Sequence, residues 1–312
     1  MSENDGMLAV LIPVPLGPAN AGSNAPADAV ADWVAGTTYA AGTQIRRGNL
    51  VYESVRDANA GHDPAIAAST SGSAPWWLRI GYDNPWRAYD SNDSTATSAP
   101  GILRLVMTPG SVDAIYLSEL SGQRATVELR AVAGGPVVWS AQTVLSDSPR
   151  DNWYDWAFAP VDPVRDWIIT GIPPYRNGEL TITVDAGTGT ASCGSVVAGH
   201  LEVLGVAQYP AEISWTNYSQ ITTKFAATSI TPQPSRRNMK ATAAVEEAAA
   251  PHVRRVLEQI QSRACVWILG DSPQFDGLRI FGLADTDLTW PEPGLWLLNA
   301  AVRGITMEFP DQ

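Results

Sequence analysis

The side chains able to do chemistry are few and scattered along these 312 residues. Three histidines (His62, His200, His252) and two cysteines (Cys193, Cys265) are the whole stock of soft ligands and near-neutral bases. The cysteines form neither a CxxC knuckle nor a disulfide framework. Both read as small buried hydrophobes, in a chain made in a reducing compartment. Gly270-Asp271-Ser272 could expose a serine nucleophile, but a triad whose Asp and His follow the serine needs a later histidine, and none follows His252. Asp285-Thr286-Asp287 has the D-x-D form of a metal-nucleotide site, and its ordinary reading is a turn between strands. His62 falls in a polar loop and His200 in a strand-like run, neither with a neighbour that would make it a base. GxSxG, HExxH and phosphate-cradling glycine loops are all missing. The residues do not describe an enzyme.

Two candidate sets remain. Asp90-Ser91-Asn92-Asp93-Ser94 is the densest run of oxygen ligands, and Asp90, Asn92 and Asp93 are the candidate ligands of a structural calcium ion. EF-hand spacing is missing, and a capped polar turn is the alternative. No other cofactor is expected. Tyr52, Trp76 and Trp77 are the candidate glycan-binding aromatics, because a ring face stacks on the C–H face of a pyranose. A unit of about fifty residues needs most of its rings as core, so one of Trp76 and Trp77 is expected at the surface.

Charge narrows the partners. With 20 Lys plus Arg against 32 Asp plus Glu, the net charge is −12, which argues against binding nucleic acid by counterion release. Arg46-Arg47 and Arg236-Arg237 are too isolated to form a basic stripe. The apolar run MLAVLIPVPLG follows an acidic leader where a secretory signal needs a cationic one. Pro13, Pro15 and the run's length exclude a spanning helix, so membrane insertion is not expected. The run reads as a buried first strand, or as an arm docked on a neighbouring subunit.

The elements that position these residues are mostly strands. Residues 1–30 are an N-terminal strand or arm followed by an Ala/Gly/Asn/Pro linker over 16–32. In 31–82, Gly36, Gly42 and Gly48 punctuate very short extended pieces, and Gly48-Asn49 marks a tight hairpin. Residues 83–207 hold eight strand-like runs at 102–107, 113–120, 125–132, 136–144, 153–159, 166–172, 179–186 and 195–205, with clear period-2 alternation in ATVELRAV and ELTITV. That spacing predicts a jelly-roll β-sandwich of the galactose-binding-like kind, with Trp139, Trp153, Trp156 and Trp167 as core. Residues 208–312 read as an α+β assembly unit. It has strands in 213–230, 239–245, 264–269, 278–283 and 295–309, and one helix over 246–263 laid on the sheet. Pro251 and the glutamates at 246 and 247 fit the start of that helix, and Arg254–Glu258 fits an i,i+4 pair. The fold class is mainly β and multidomain.

Two resemblances follow from particular residues. Trp33, Tyr39, Gly42, Ile45, Gly48 and Tyr52 match, in nearly the same spacing, the pattern W-x-x-x-x-x-Y-x-x-G-x-x-V-x-x-x-G-x-x-Y. That pattern belongs to the small chitin-binding modules of bacterial chitinases. The resemblance covers about residues 31–80 and implies a carbohydrate-binding-like fold, with a longer loop from Arg56 to Ser73. Over the whole chain, the order of strand, small module, sandwich and strand–helix–strand unit resembles tail-associated structural proteins of tailed bacteriophages. It does so together with Trp86-Arg-Ala-Tyr89-Asp90, Trp153-Tyr-Asp-Trp156-Ala-Phe, Gly171-Ile-Pro-Pro-Tyr175, Cys193-Gly and Gly205-Val-Ala-Gln-Tyr209. This implies a non-enzymatic virion protein of the tail tip or baseplate, made in the host cytoplasm. It would assemble into a ring with copies of itself, beside other tail proteins and in contact with host cell-surface polysaccharide or peptidoglycan. Alternatives are a collar, head-tail or decoration protein, and a free carbohydrate-binding accessory protein of a polysaccharide-degrading system.

Overall fold

The computed structural model describes residues 6–90, 95–146, 153–154, 163–224, 227–231, 233, 235–270 and 277–305. The chain is mainly β, with 57% strand and 9% helix in several sheets. Strand β1 (Met7–Pro13) is buried along both faces, as an unbroken apolar run allows. The segment expected to be linker contains a short strand, β2 (Ala21–Ser23), that pairs with residues 105–107.

The small module follows. Its strands are β3 (Thr38–Tyr39), β4 (Gln44–Arg47), β5 (Leu50–Ser54), β6 (Asn59–Ala60) and β7 (Trp77–Tyr82), with a one-turn helix α1 (Ala67–Thr70) before β7. The expected hairpin at Gly48-Asn49 joins β4 to β5, with Arg47 opposite Leu50 and Gly48 at φ +65°. Tyr39, Ile45, Tyr52 and Trp77 are its core, with Trp33, Leu50 and Trp76 packed at the edge.

The neck of this module is a polar clamp. Asp28, on the way in, accepts from Arg87 at 2.7 Å on the way out, and the Asp28 amide donates to Asp83 at 2.8 Å. Arg46 bridges Asp32 at 2.8 Å and Asp83 at 3.4 Å. Burial pushes the Asp28 carboxyl above its ordinary range, Arg87 draws it back, and the neighbouring Asp83 pushes it up again.

The sandwich has a five-stranded sheet in the order β11-β10-β13-β8-β2. Here β8 is Thr97–Met107, β10 Arg124–Arg130, β11 Val137–Val144 and β13 Glu179–Cys193. Facing it are β9 (Ala114–Ser118), β12 (Trp167–Thr170) and the first part of β14 (Ser195–Asn217). Leu103, Leu105, Ile115, Leu117, Val127, Ile182 and Val184 fill the space between. Trp139 and Trp167 pack against this core, whereas Trp153 is 77% exposed and is not core; Trp156 lies outside the described residues. Of the eight expected runs, 153–159 has helical backbone at 153–154 and is otherwise outside the described residues.

The C-terminal part departs most from expectation. The expected helix does lie on a sheet, but that sheet is a barrel of six strands, closed in the order β1-β18-β19-β20-β17-β14 and back to β1. Its further strands are β17 (Ser235–Glu246), β18 (Cys265–Leu269), β19 (Arg279–Glu292) and β20 (Leu295–Gly304). The N-terminal arm is therefore not left for a neighbour: β1 pairs with β18 and β14 of its own chain. Strand β14 also runs through position 207, so the expected boundary there falls inside one strand. One edge of β14 is lined by β1 and the other first by β9, then by β17: Gly199 pairs with Pro13 and Ala114, and Val206 with Met7 and Ala244.

Helix α2 (Ala250–Ile260) has Pro251 in its first turn and buries Val253, Val256, Leu257 and Ile260 against the barrel core, beside Leu8, Val10, Trp267, Leu298 and Val302. It is shorter than expected because residues up to Glu246 belong to β17; the Arg254–Glu258 pair forms at 3.6 Å.

A barrel this small bends its strands sharply, and glycines sit where backbones cross. A Cβ at Gly199, Gly205, Gly282 or Gly304 would overlap the carbonyl oxygen of Ile12, Ala244, Arg303 or Arg237 respectively. The barrel and sandwich are also packed together. Strand β9 turns Ile115 and Leu117 to the sandwich core, and Ala114 and Tyr116 to a second layer with Leu11, Val197, Val266, Ile268 and Phe281. Each fully buried Leu or Ile in these layers contributes about 1.5–3 kcal/mol, so the two units hold each other.

Candidate functional site

The three candidate aromatics of the small module do not form one platform. Successive residues of a strand point to opposite faces, and β7 begins where the two tryptophans meet. Trp77 is 0% exposed and lies edge-on to Tyr39 at 5.2 Å. Tyr52 is also buried, and burial raises its phenol above the ordinary value. Their ring faces are core, as a module this small requires. Trp76, one residue before β7, is half-buried and packs at the edge of that core.

Around Trp76 the structure gathers groups that sequence reading missed. The His62 imidazole stacks on the indole at 3.9 Å between centroids and 13° between planes. The Arg56 guanidinium lies over the same ring at 5.1 Å. The loop carrying both is fixed from beneath. Trp77 Nε1 donates to the His62 carbonyl at 2.7 Å, the Val55 amide donates to the Trp76 carbonyl at 2.9 Å, and Ser54 Oγ donates to the Arg56 carbonyl at 2.9 Å. Buried Asn59 donates to Ser54 Oγ at 3.0 Å.

The cluster continues sideways. Asp63 takes a two-point contact from Arg47, at 3.0 and 2.7 Å, and Arg47 in turn lies 4.9 Å above Trp33. Hydrogen bonding to Arg47 holds the Asp63 carboxyl below the ordinary carboxylate range. The visible trace of this site in the sequence is the polar loop with His62-Asp63-Pro64; its closure onto Trp76 is a tertiary contact.

The remaining candidates disperse. Asp90 ends a 3₁₀ turn (Asn84–Tyr89), and its carboxylate accepts from Thr95 at 3.1 Å; Asn92 and Asp93 lie outside the described residues. Among the described residues, no group of three His, Cys, Asp or Glu is placed to hold a metal ion. Asp285 and Asp287 are not in a turn: both lie mid-strand in β19, exposed, with Asp285 paired to Arg303 at 2.9 Å. His200 does have an acidic neighbour, Asp113 at 3.5 Å, and His252 has Glu202 at 3.1 Å; both pairs are solvent-accessible. Both cysteines are buried thiols, and burial pushes the Cys265 thiol up to about 11, which makes it a poor nucleophile.

A second surface is apolar and projects from the barrel. Strands β14 and β17 run on beyond it and lead into a hairpin, β15 (Gln220–Lys224) and β16 (Ala227–Thr231). Tyr209, in the bulge of β14 on the barrel wall, is 94% exposed; along the arm Ile221 is 70%, Trp215 64% and Ile230 63% exposed, and Trp290 near the tip of the β19–β20 hairpin is 56% exposed. Side chains of this size grouped at a surface mark an interaction face.

No family model matches the chain. No curated protein matches it. Among solved structures, the lectin domain of lectinolysin, complexed with Lewis B antigen, is similar over 36% of this chain and 82% of that chain, at 12% identity and a TM-score of 0.25. A likeness that loose carries no argument about fold or ligand.

Proposed function

We propose that the chain is a non-enzymatic structural component of a bacteriophage tail tip or baseplate. It assembles with copies of itself into a ring and presents its small module to cell-envelope glycans. The sandwich is read as a galactose-binding-like jelly roll and the small module as chitin-binding-like. The observation that carries the reading is the projecting arm, with Trp215, Ile221 and Ile230 exposed. A lone chain gains nothing from displaying these residues, whereas a neighbour seated on them buries apolar area, and head-to-tail contacts of this kind close into rings. The module order set out above supports the tail assignment, with the virion as location and other tail proteins as partners.

The test is immunogold labelling of phage particles purified from the source culture, with antibody against the recombinant chain. Gold at the tail's end is the expected result. Gold at the neck or head replaces the tail-tip role with a collar or decoration role. No label on intact or disrupted particles, with the protein free in the medium, overturns the virion reading. That last result favours a carbohydrate-binding accessory protein, a second reading supported by the Trp76 cluster.

A further inference from the structure

We propose that Arg56 and His62, seated on Trp76, form a contact for the acidic group of a negatively charged pyranose polymer. The inference rests on the reading of the small module as the glycan-contacting part, and adds the class of glycan. It starts from how the module's cations are neutralised. Arg46 is held by Asp32 and Asp83, and Arg47 by Asp63. Arg56 has no carboxylate partner among the described residues; what holds it is the face of Trp76, 5.1 Å away. His62 is held in the same way, stacked at 3.9 Å, with its carbonyl tied to Trp77. A π face orients a guanidinium without cancelling its charge, and leaves the N–H donors of a guanidinium or a stacked imidazole unoccupied. Two donor groups are thus fixed on one ring and left open, as recognition of a carboxylate or phosphate requires.

The surroundings agree with a sugar rather than a bare ion. Val55, whose amide donates to the Trp76 carbonyl, is 48% exposed, and Ile66 in the same loop region is 57% exposed. These offer apolar surface to C–H groups. The charge distribution agrees as well. Residues 31–82 carry four Arg (46, 47, 56, 79) and four acids (32, 53, 57, 63), a balance of 4 − 4 = 0 within a chain of net charge −12. The small module is therefore a face that a polyanion can approach while the chain as a whole repels it.

The experiment is titration of the full chain with three probes: polygalacturonate, chitin hexaose and poly(glycerol phosphate), the last a polyanion without pyranose faces. Expected is binding of polygalacturonate over the other two. Arg56→Gln should weaken it on the order of tenfold, as loss of one charge-assisted contact does. His62→Gln should weaken it less, with thermal unfolding unchanged in both variants. Preference for chitin hexaose, with Arg56→Gln silent, overturns the acidic class and leaves the glycan reading standing. Equal binding of poly(glycerol phosphate) overturns the pyranose component. Binding of none of the three overturns this inference together with the glycan part of the proposed function.

Discussion

Replacing Trp77 and replacing Trp76 should have opposite consequences, although the two are neighbours of one type. Trp77 is 0% exposed, lies edge-on to Tyr39 at 5.2 Å and donates to the His62 carbonyl at 2.7 Å. Truncating a buried tryptophan to alanine costs about 3–5 kcal/mol through lost transfer and the cavity left behind. The lost hydrogen bond adds ~1 kcal/mol. At ~0.05–0.15 kcal/mol per residue, a fifty-residue module has about 2.5–7.5 kcal/mol to lose. Trp77→Ala should therefore unfold the small module, while the sandwich and barrel keep the separate cores that hold them. Trp76→Ala, at a half-buried ring, should cost about 1 kcal/mol and leave the module folded, with the His62 loop still tied by the Trp77 indole and the Val55 amide. Limited proteolysis followed by mass spectrometry reads both results at once. Trp77→Ala should be cut within residues 31–82 at low protease, and Trp76→Ala should resist nearly as the unaltered protein does. A Trp77→Ala chain as resistant as the unaltered protein would refute the assignment of this ring to the core.

Three further outcomes are expected. Gly199→Ala places a methyl against the Ile12 carbonyl and should destabilise the chain by about 1–3 kcal/mol, with faster hydrogen exchange along β1; a change within ~0.5 kcal/mol would mean that the barrel is not closed there. Trp215→Ser with Ile221→Ser should shift native mass spectra from assembled to single chains without lowering the melting temperature; unchanged assembly would remove the arm from the interface. Arg87→Gln should destabilise the neck clamp at pH 7 and have little effect at low pH, because Arg87 attracts Asp28 only while that carboxyl is ionised. Burial of Asp28 acts in the opposite sense: its raised value means that its own contribution is present below the ordinary 3.8 and is lost as pH rises through the raised value, so a gap between variant and parent that widened on acidification would refute the clamp.

What the sequence determined by itself is local. The runs ATVELRAV and ELTITV alternate with period two, so β10 and β13 appear within a residue or so of where they were expected at their starts. Gly48-Asn49 turns tightly because the backbone there needs a positive φ, which does not depend on distant residues. The helix was legible from its apolar spacing and Pro251, and the burial of both cysteines from their residue type. A small core short of apolar material also required most of the candidate rings to be inside, which anticipated the split between Trp76 and Trp77.

What only the tertiary structure decided depends on residues far apart in the chain meeting. An apolar run such as MLAVLIP is compatible with any partner, and nothing local says that Leu8 and Leu11 face Leu269 and Val266 across one ladder. Pairing at that separation closed the expected sheet into a barrel and used the N-terminal arm within its own chain. It also made glycines into crossing points, and set the two faces of β9 against two different cores. The same reason governs the candidate site. Trp76, His62 and Arg56 are brought together because the Val55 amide meets the Trp76 carbonyl and the Trp77 indole meets the His62 carbonyl, contacts that depend on where the chain returns.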